Sequence, residues 1–259
     1  MSFMQTIFKI VLLSLLLSQN NAAFSDSGST KKPHWGYTGE NGAENWGKLD
    51  ESYKICSMGI NQSPINIQKT QAKENESLAK LDFSYSGIPL TVLNNGHTIQ
   101  VNYPKGSKLE VGRKQYGLLQ FHFHTPSEHA LDGKKSAMEV HFVNQNEDGS
   151  LAVIGVLMNK GKKNNALASI FDNMPKKEGT SVNVNLVNFE AEDVIPKGSK
   201  YFTYKGSLTT PPCSQIVTWY VLKEQIEVSA EQIKKFQSIF KMNARPIQAL
   251  SNRAIERND

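Results

Sequence analysis

Gln120-Phe121-His122-Phe123-His124 and Met138-Glu139-Val140-His141-Phe142-Val143 are the two runs on which this chain turns. In an extended strand successive side chains point to opposite faces. His122 and His124 therefore share a face with Gln120, while Phe121 and Phe123 face the other way. Glu139, His141 and Val143 share a face in the same manner. If the two runs lie near each other in one sheet, His141 meets His122 and His124 around one ion. Three neutral imidazoles suit Zn²⁺, which takes four tetrahedral ligands. Three protein ligands leave the fourth position to water, the arrangement of a catalytic rather than a structural site.

Working outward, residues 118–124 and 137–143 read as strands. They are separated by Thr125-Pro126-Ser127-Glu128-His129 and a turn at Asp132-Gly133-Lys134-Lys135. Strand signals also cover 91–93 and 98–103, on either side of Asn94-Asn95-Gly96, and 216–222. Residues 151–158 form a continuous apolar run, expected to be a buried strand. Gln62-Ser63-Pro64-Ile65-Asn66-Ile67 reads as a loop entering a short extended segment. Helices are few. Asn165 is expected to cap one over 166–174. Ser229 and Gln232 form a capping box ahead of an apolar stripe at Ile233, Phe236, Ile239 and Phe240. With no internal repeat and no composition break, the pattern predicts one sheet-dominated domain, mainly β with some α, with helices at its edges.

The 259 residues suffice for a full core, with 39% hydrophobic and 20% charged residues. The net charge of +5 comes from scattered lysines, without the aromatic-interleaved basic stripe that nucleic acid would call for. Lys9, the apolar run 10–17 and small Ala22 and Ala23 make residues 1–23 a signal-peptide pattern, too short for a stable membrane anchor. Residues 24–33 read as a flexible leader, and the domain proper as 34–259. The expected destination is the periplasm, with secretion as the alternative. Cys56 and Cys213 are the two cysteines. In an exported chain such a pair is expected to bridge, with two free buried thiols as the alternative.

His122-Phe123-His124, Glu139-Val140-His141, Gln62-Ser63-Pro64-Ile65-Asn66, Asn95-Gly96-His97 and Gly206-Ser207-Leu208-Thr209-Thr210-Pro211-Pro212 together resemble the α-class carbonic anhydrases in order and spacing. The resemblance runs from about residue 34 to about residue 250 and is closest to exported bacterial members. It implies a large, twisted, mostly antiparallel central sheet. It implies reversible hydration of carbon dioxide to bicarbonate and a proton by zinc-bound hydroxide, with His122, His124 and His141 as the zinc ligands. Gln120 and Glu139 are expected to orient ligand imidazoles. Thr209, backed by Glu128, matches the acceptor for the hydroxide proton. A carboxylate only accepts, so Thr209 must donate to Glu128 and accept from the hydroxide. Val143, Val153, Leu208, Thr210, Val217 and Trp219 match the substrate pocket. His97 matches the proton shuttle, a role that suits an imidazole with its ordinary pKa of about 6.5. Tyr37, Asn95 and Gln100 match the positions that order the shuttle's waters, Gln100 differing in length from the commonest amide there. The resemblance further implies that the bridge between Cys56 and Cys213 anchors the loop carrying Thr209. Sulfonamides or small anions are the expected inhibitors at the zinc, and a homodimer is left open. His129 reads as a structural histidine near Glu139, and His34 as a packing residue.

Three other readings compete. An esterase would use the same site, but the small apolar pocket favours carbon dioxide. A non-catalytic binding module would be expected to have lost ligand histidines, and all three are present. A zinc-scavenging protein would show a closed fourth position or a His/Cys-rich tract, and neither is found.

Overall fold

The alternation read at 120–124 holds in the computed structural model of the chain, which describes residues 33–198 and 200–259. The strand Lys114–His124 lies inside a 13-stranded mixed sheet. Its neighbours are Ile99–Asn102 on one side and Met138–Gln145 on the other, followed by Leu151–Lys160, Val217–Leu222 and Tyr201–Gly206. Most pairings are antiparallel; Leu151–Lys160 runs parallel to Val217–Leu222. The register sets His141 opposite His122, Glu139 opposite His124, and Gln100 opposite His122 from the other side. A one-residue slip would send every histidine to the opposite face.

Each face of these strands has its own core. Phe121, Phe123, Val140, Phe142, Ile154 and Val156 belong to the larger apolar cluster. Phe121 and Phe142 pack with ring centroids 5.3 Å apart. Burial of such side chains contributes roughly 1.5–3 kcal/mol each, which holds the register fixed. On the other face Val143, Val153, Leu157, Val217, Trp219 and Val221 form a second cluster beside the histidines. A separate three-stranded sheet joins Asn66–Ile67 to Ala130–Leu131 and Lys134–Lys135, so the stretch between the ligand strands folds back onto the 62–67 segment.

The capping box is formed: Gln232 N–H donates to Ser229 Oγ at 3.2 Å, and Ser229 N–H to Gln232 Oε1 at 3.0 Å, opening the helix Ala230–Gln237. The helix expected over 166–174 is only Ala168–Phe171. Asn164, rather than Asn165, accepts at its start, from Leu167 N–H at 3.2 Å. Pro175 follows soon after its end and disfavours helical backbone before it. Several strands had no clear signal, two of the longer ones among them. Tyr201–Gly206 is buried nearly throughout, whereas Thr180–Phe189 is an edge strand mostly exposed on both faces. Its register breaks between Asn183 and Asn188, so neither burial nor alternation marks it.

The expected signal segment 1–23 and leader residues 24–32 lie outside the described residues. Among the described residues no helix is long and apolar enough to cross a membrane. Cys56 and Cys213 are joined by a disulfide with Cα atoms 5.0 Å apart.

Candidate metal centre

The sheet brings His122, His124 and His141 together, with ring centroids 5.0 Å (122–124), 5.3 Å (122–141) and 4.6 Å (124–141) apart. One ligand atom from each lies within 4.8 Å of the others. Two of the rings are hydrogen-bonded through one nitrogen, and the third stands against a carboxylate. His122 Nδ1 is 2.8 Å from Gln120 Oε1, and His124 Nδ1 is 2.7 Å from the carbonyl of Asn243. His141 Nε2 lies 2.9 Å from Glu139 Oε1, though off the axis of a well-aligned hydrogen bond. These contacts leave Nε2 of His122, Nε2 of His124 and Nδ1 of His141 for a cation.

The residues fit a zinc ion on two counts. His124 Nε2 is buried with no hydrogen-bond partner, a costly state for a polar atom unless something absent from the protein itself satisfies it. His122 and His124 also favour the neutral form that ligates. Burial pushes the pKa of His122 well below the usual histidine value, helped by His124 and His141. Burial likewise lowers that of His124, against the pull of Glu128.

Glu139 is fully buried and tightly held. Its Oε2 accepts from the backbone N–H groups of Glu128 and His129, each at 2.8 Å, and its Oε1 lies 2.8 Å from His129 Nδ1. Burial pushes its pKa up, but His129 and His141 outweigh that and hold it well below the carboxylate range. His129 therefore has the structural role expected of it, with Nε2 2.7 Å from Tyr204 Oη. Glu128 is buried too: its Oε1 accepts from Arg245 N–H at 2.8 Å. Its Oε2 has no hydrogen-bond partner, so the Thr209 hydroxyl does not close onto that oxygen in this structure. Thr209 is itself buried, in the loop after Gly206.

A cavity of about 120 Å³ reaches the histidines. Its lining includes Tyr37, Asn95, His97, Gln100, Gln120 and Thr210, together with His122 and His124. Asn95 Nδ2 donates to Gln100 Oε1 at 2.9 Å, so these two form one polar wall. The His97 ring lies flat on Trp35, centroids 3.7 Å and planes 8° apart, with His34 stacked beside it at 5.8 Å. Burial, then His34, lowers the His97 pKa. His34 thus packs as expected, although its own side is exposed. Val143, Val153, Val217 and Trp219 share one apolar cluster, with Leu208 packed against it. Trp219 stands 4.8 Å from the His141 ring. A larger depression of about 710 Å³, between Lys105, Arg113 and Glu147, contains no histidine and lies apart from this chemistry.

The residues missed in the sequence are Trp35, Tyr204, Asn243 and Arg245. The last two lie in an irregular segment with no periodicity, and they reach the site only because the chain returns to it after Phe240. Asn243 does more than hold His124: its Oδ1 accepts from Thr125 N–H at 2.8 Å and its Nδ2 donates to the carbonyl of Phe123 at 2.9 Å.

Comparison with known proteins agrees with this geometry. A sequence model of the family described as eukaryotic-type carbonic anhydrase matches residues 41–259. A carbonic anhydrase of Nostoc sp. is 38% identical over 255 residues, 98% of this chain and 97% of its own. One of Neisseria gonorrhoeae is 43% identical over 90% of this chain and 91% of its own. Among solved structures, the α-carbonic anhydrase of Thermovibrio ammonificans in complex with the inhibitor sulfanilamide is similar at a TM-score of 0.83. It is 40% identical, over 86% of this chain and 98% of that one.

Proposed function

We propose that this chain, which belongs to the eukaryotic-type carbonic anhydrase family, hydrates carbon dioxide reversibly to bicarbonate and a proton at a zinc ion held by His122, His124 and His141. The observation that carries the reading is the convergence of three imidazoles, with His122 and His124 each held through Nδ1, His141 Nε2 set 2.9 Å from Glu139 Oε1, and His124 Nε2 buried and unsatisfied. Zinc bound there supplies Lewis acidity that activates water near neutral pH, chemistry for which carbonic anhydrases are the standard example.

The chain's own residues do the rest. Gln120, the Asn243 carbonyl and Glu139 fix the ring orientations of the ligands. Thr209, whose hydroxyl would donate to Glu128, would orient the attacking oxygen by accepting a hydrogen bond from it, and its backbone N–H would hold a substrate or inhibitor oxygen. Val143, Val153, Leu208, Val217 and Trp219, with Thr210, give the apolar carbon dioxide a place beside a polar centre. His97 receives the released proton through water ordered by Tyr37, Asn95 and Gln100, and passes it to buffer. A sulfonamide is expected to bind at the same centre, as the Thermovibrio relative's complex with sulfanilamide suggests. The disulfide and the N-terminal pattern support export, with the periplasm as destination.

Carbon dioxide hydration measured beside ester hydrolysis tests the reading. Hydration is expected to exceed ester turnover by orders of magnitude. Ester hydrolysis without hydration would overturn it.

A further inference from the structure

Arg245 is 1% exposed. Burial lowers its pKa to about 10, so it remains charged at neutral pH. A buried charge is costly unless its surroundings are well arranged. Here the guanidinium donates to three neutral oxygens: Gln62 Oε1 at 2.9 Å, Ser63 O at 2.8 Å and Cys56 O at 2.8 Å. It also sits 5.5 Å from the centre of the Trp46 ring.

Those acceptors have a common destination. Gln62 Nε2 donates to the carbonyl of Cys213 at 3.1 Å. Ser63 N–H donates to Ser207 Oγ at 2.9 Å, and Ser207 N–H donates back to Ser63 Oγ at 3.1 Å. Cys56 is disulfide-bonded to Cys213. Ser207 and Cys213 bracket Thr209 and Thr210. The loop between them closes through Leu208 N–H to Ser214 O at 3.0 Å and Cys213 N–H to Thr210 O at 2.9 Å. On its other side, the backbone N–H of Arg245 donates to Glu128 Oε1.

We propose that Arg245 is a positioning residue for the hydration step: its side chain fixes both ends of the loop that carries Thr209, while its backbone fixes Glu128. One residue thereby sets the donor and the acceptor of that pair against each other. This rests on the function proposed above.

The test uses Arg245→Met and Arg245→Lys in the zinc-loaded protein. Methionine keeps length and packing under Trp46 and keeps the N–H to Glu128, but loses every side-chain donor. Hydrogen exchange is expected to quicken in residues 207–214 of Arg245→Met by about ten-fold or more and to stay unchanged in 114–124. Zinc content stays at that of the wild type. For carbon dioxide, kcat/KM falls by about ten-fold or more, while kcat falls by less, because kcat includes proton release through His97. Arg245→Lys, which restores one charged donor, recovers part of the loss. A variant that is merely partly unfolded or zinc-poor would lose kcat and kcat/KM by the same factor, and that result overturns the proposal. So does Arg245→Met with exchange and kcat/KM within about two-fold of wild type. Gln62→Leu, which cuts one arm of the clamp, takes the same measurements if Arg245→Met fails to fold. A wild-type protein without carbon dioxide hydration would refute the proposed function instead, and the exchange comparison would still judge Arg245.

Discussion

His124 and His97 carry the two most specific claims at the scale of single residues. His124→Ala removes the ligand whose Nε2 has no other partner, and metal analysis is expected to find most of the zinc lost; full zinc would contradict the ligand assignment. His97→Ala is expected to lower kcat and spare kcat/KM for carbon dioxide, since kcat/KM ends at bicarbonate release. Imidazole in the buffer should restore much of the kcat by accepting the proton directly. Equal kcat for the two proteins in dilute, bulky buffer would contradict the shuttle. The structure adds a pH dependence. Burial against Trp35 lowers the His97 pKa below its ordinary 6.5, so His97 stays able to accept a proton to lower pH than a free imidazole. The acid limb of kcat should therefore fall below pH 6.5, and Trp35→Ala should move it upward. An acid limb that Trp35→Ala leaves in place would contradict the role of stacking. The histidine triad was legible because strand alternation makes spacing equivalent to facing. Trp35 over His97 was not, because a contact between distant segments leaves no period in either.

At the scale of elements, the disulfide and the loop it ends on matter most. Cys56 and Cys213 are 157 residues apart, and the chain-entropy model assigns such a bridge roughly 4–5 kcal/mol, mainly through the unfolded state. Cys213→Ser is expected to lower the melting temperature by several degrees and to depress kcat/KM through the Thr209 loop. An unchanged melting temperature would contradict the stabilising role. Ser229→Ala, which breaks the capping box without removing any group that contacts the histidines, should cost about 1 kcal/mol and leave activity intact. These two elements show where the sequence is informative. A capping box is local, so Ser229 and Gln232 announce it. The short 166–174 helix and the strand Thr180–Phe189 are set by what they pack on or fail to pack on, and propensity misjudges both.

At the scale of the whole molecule, acid sensitivity follows from the buried and half-buried histidines. Burial lowers the folded-state pKa of His97, His122 and His124. Their contribution to stability is therefore complete above the unfolded value of 6.5 and is lost as pH falls, because the unfolded chain takes up protons first. Calorimetry of the zinc-free protein should show the melting temperature declining below pH 6.5; a flat or rising profile there would contradict it. The sheet as a whole was readable as mainly β with few helices, since its central strands alternate or are wholly apolar. Its order was not, since sequence periodicity does not say which strand pairs with which. The central claim is that three imidazoles on two paired strands make a zinc centre that hydrates carbon dioxide. Stopped-flow hydration by the purified protein, before zinc removal, after chelation and after zinc is restored, tests it most directly. The account predicts fast hydration that disappears on chelation and returns with about one zinc per chain. Hydration that survives complete zinc removal, or none in the fully zinc-loaded protein, would contradict it.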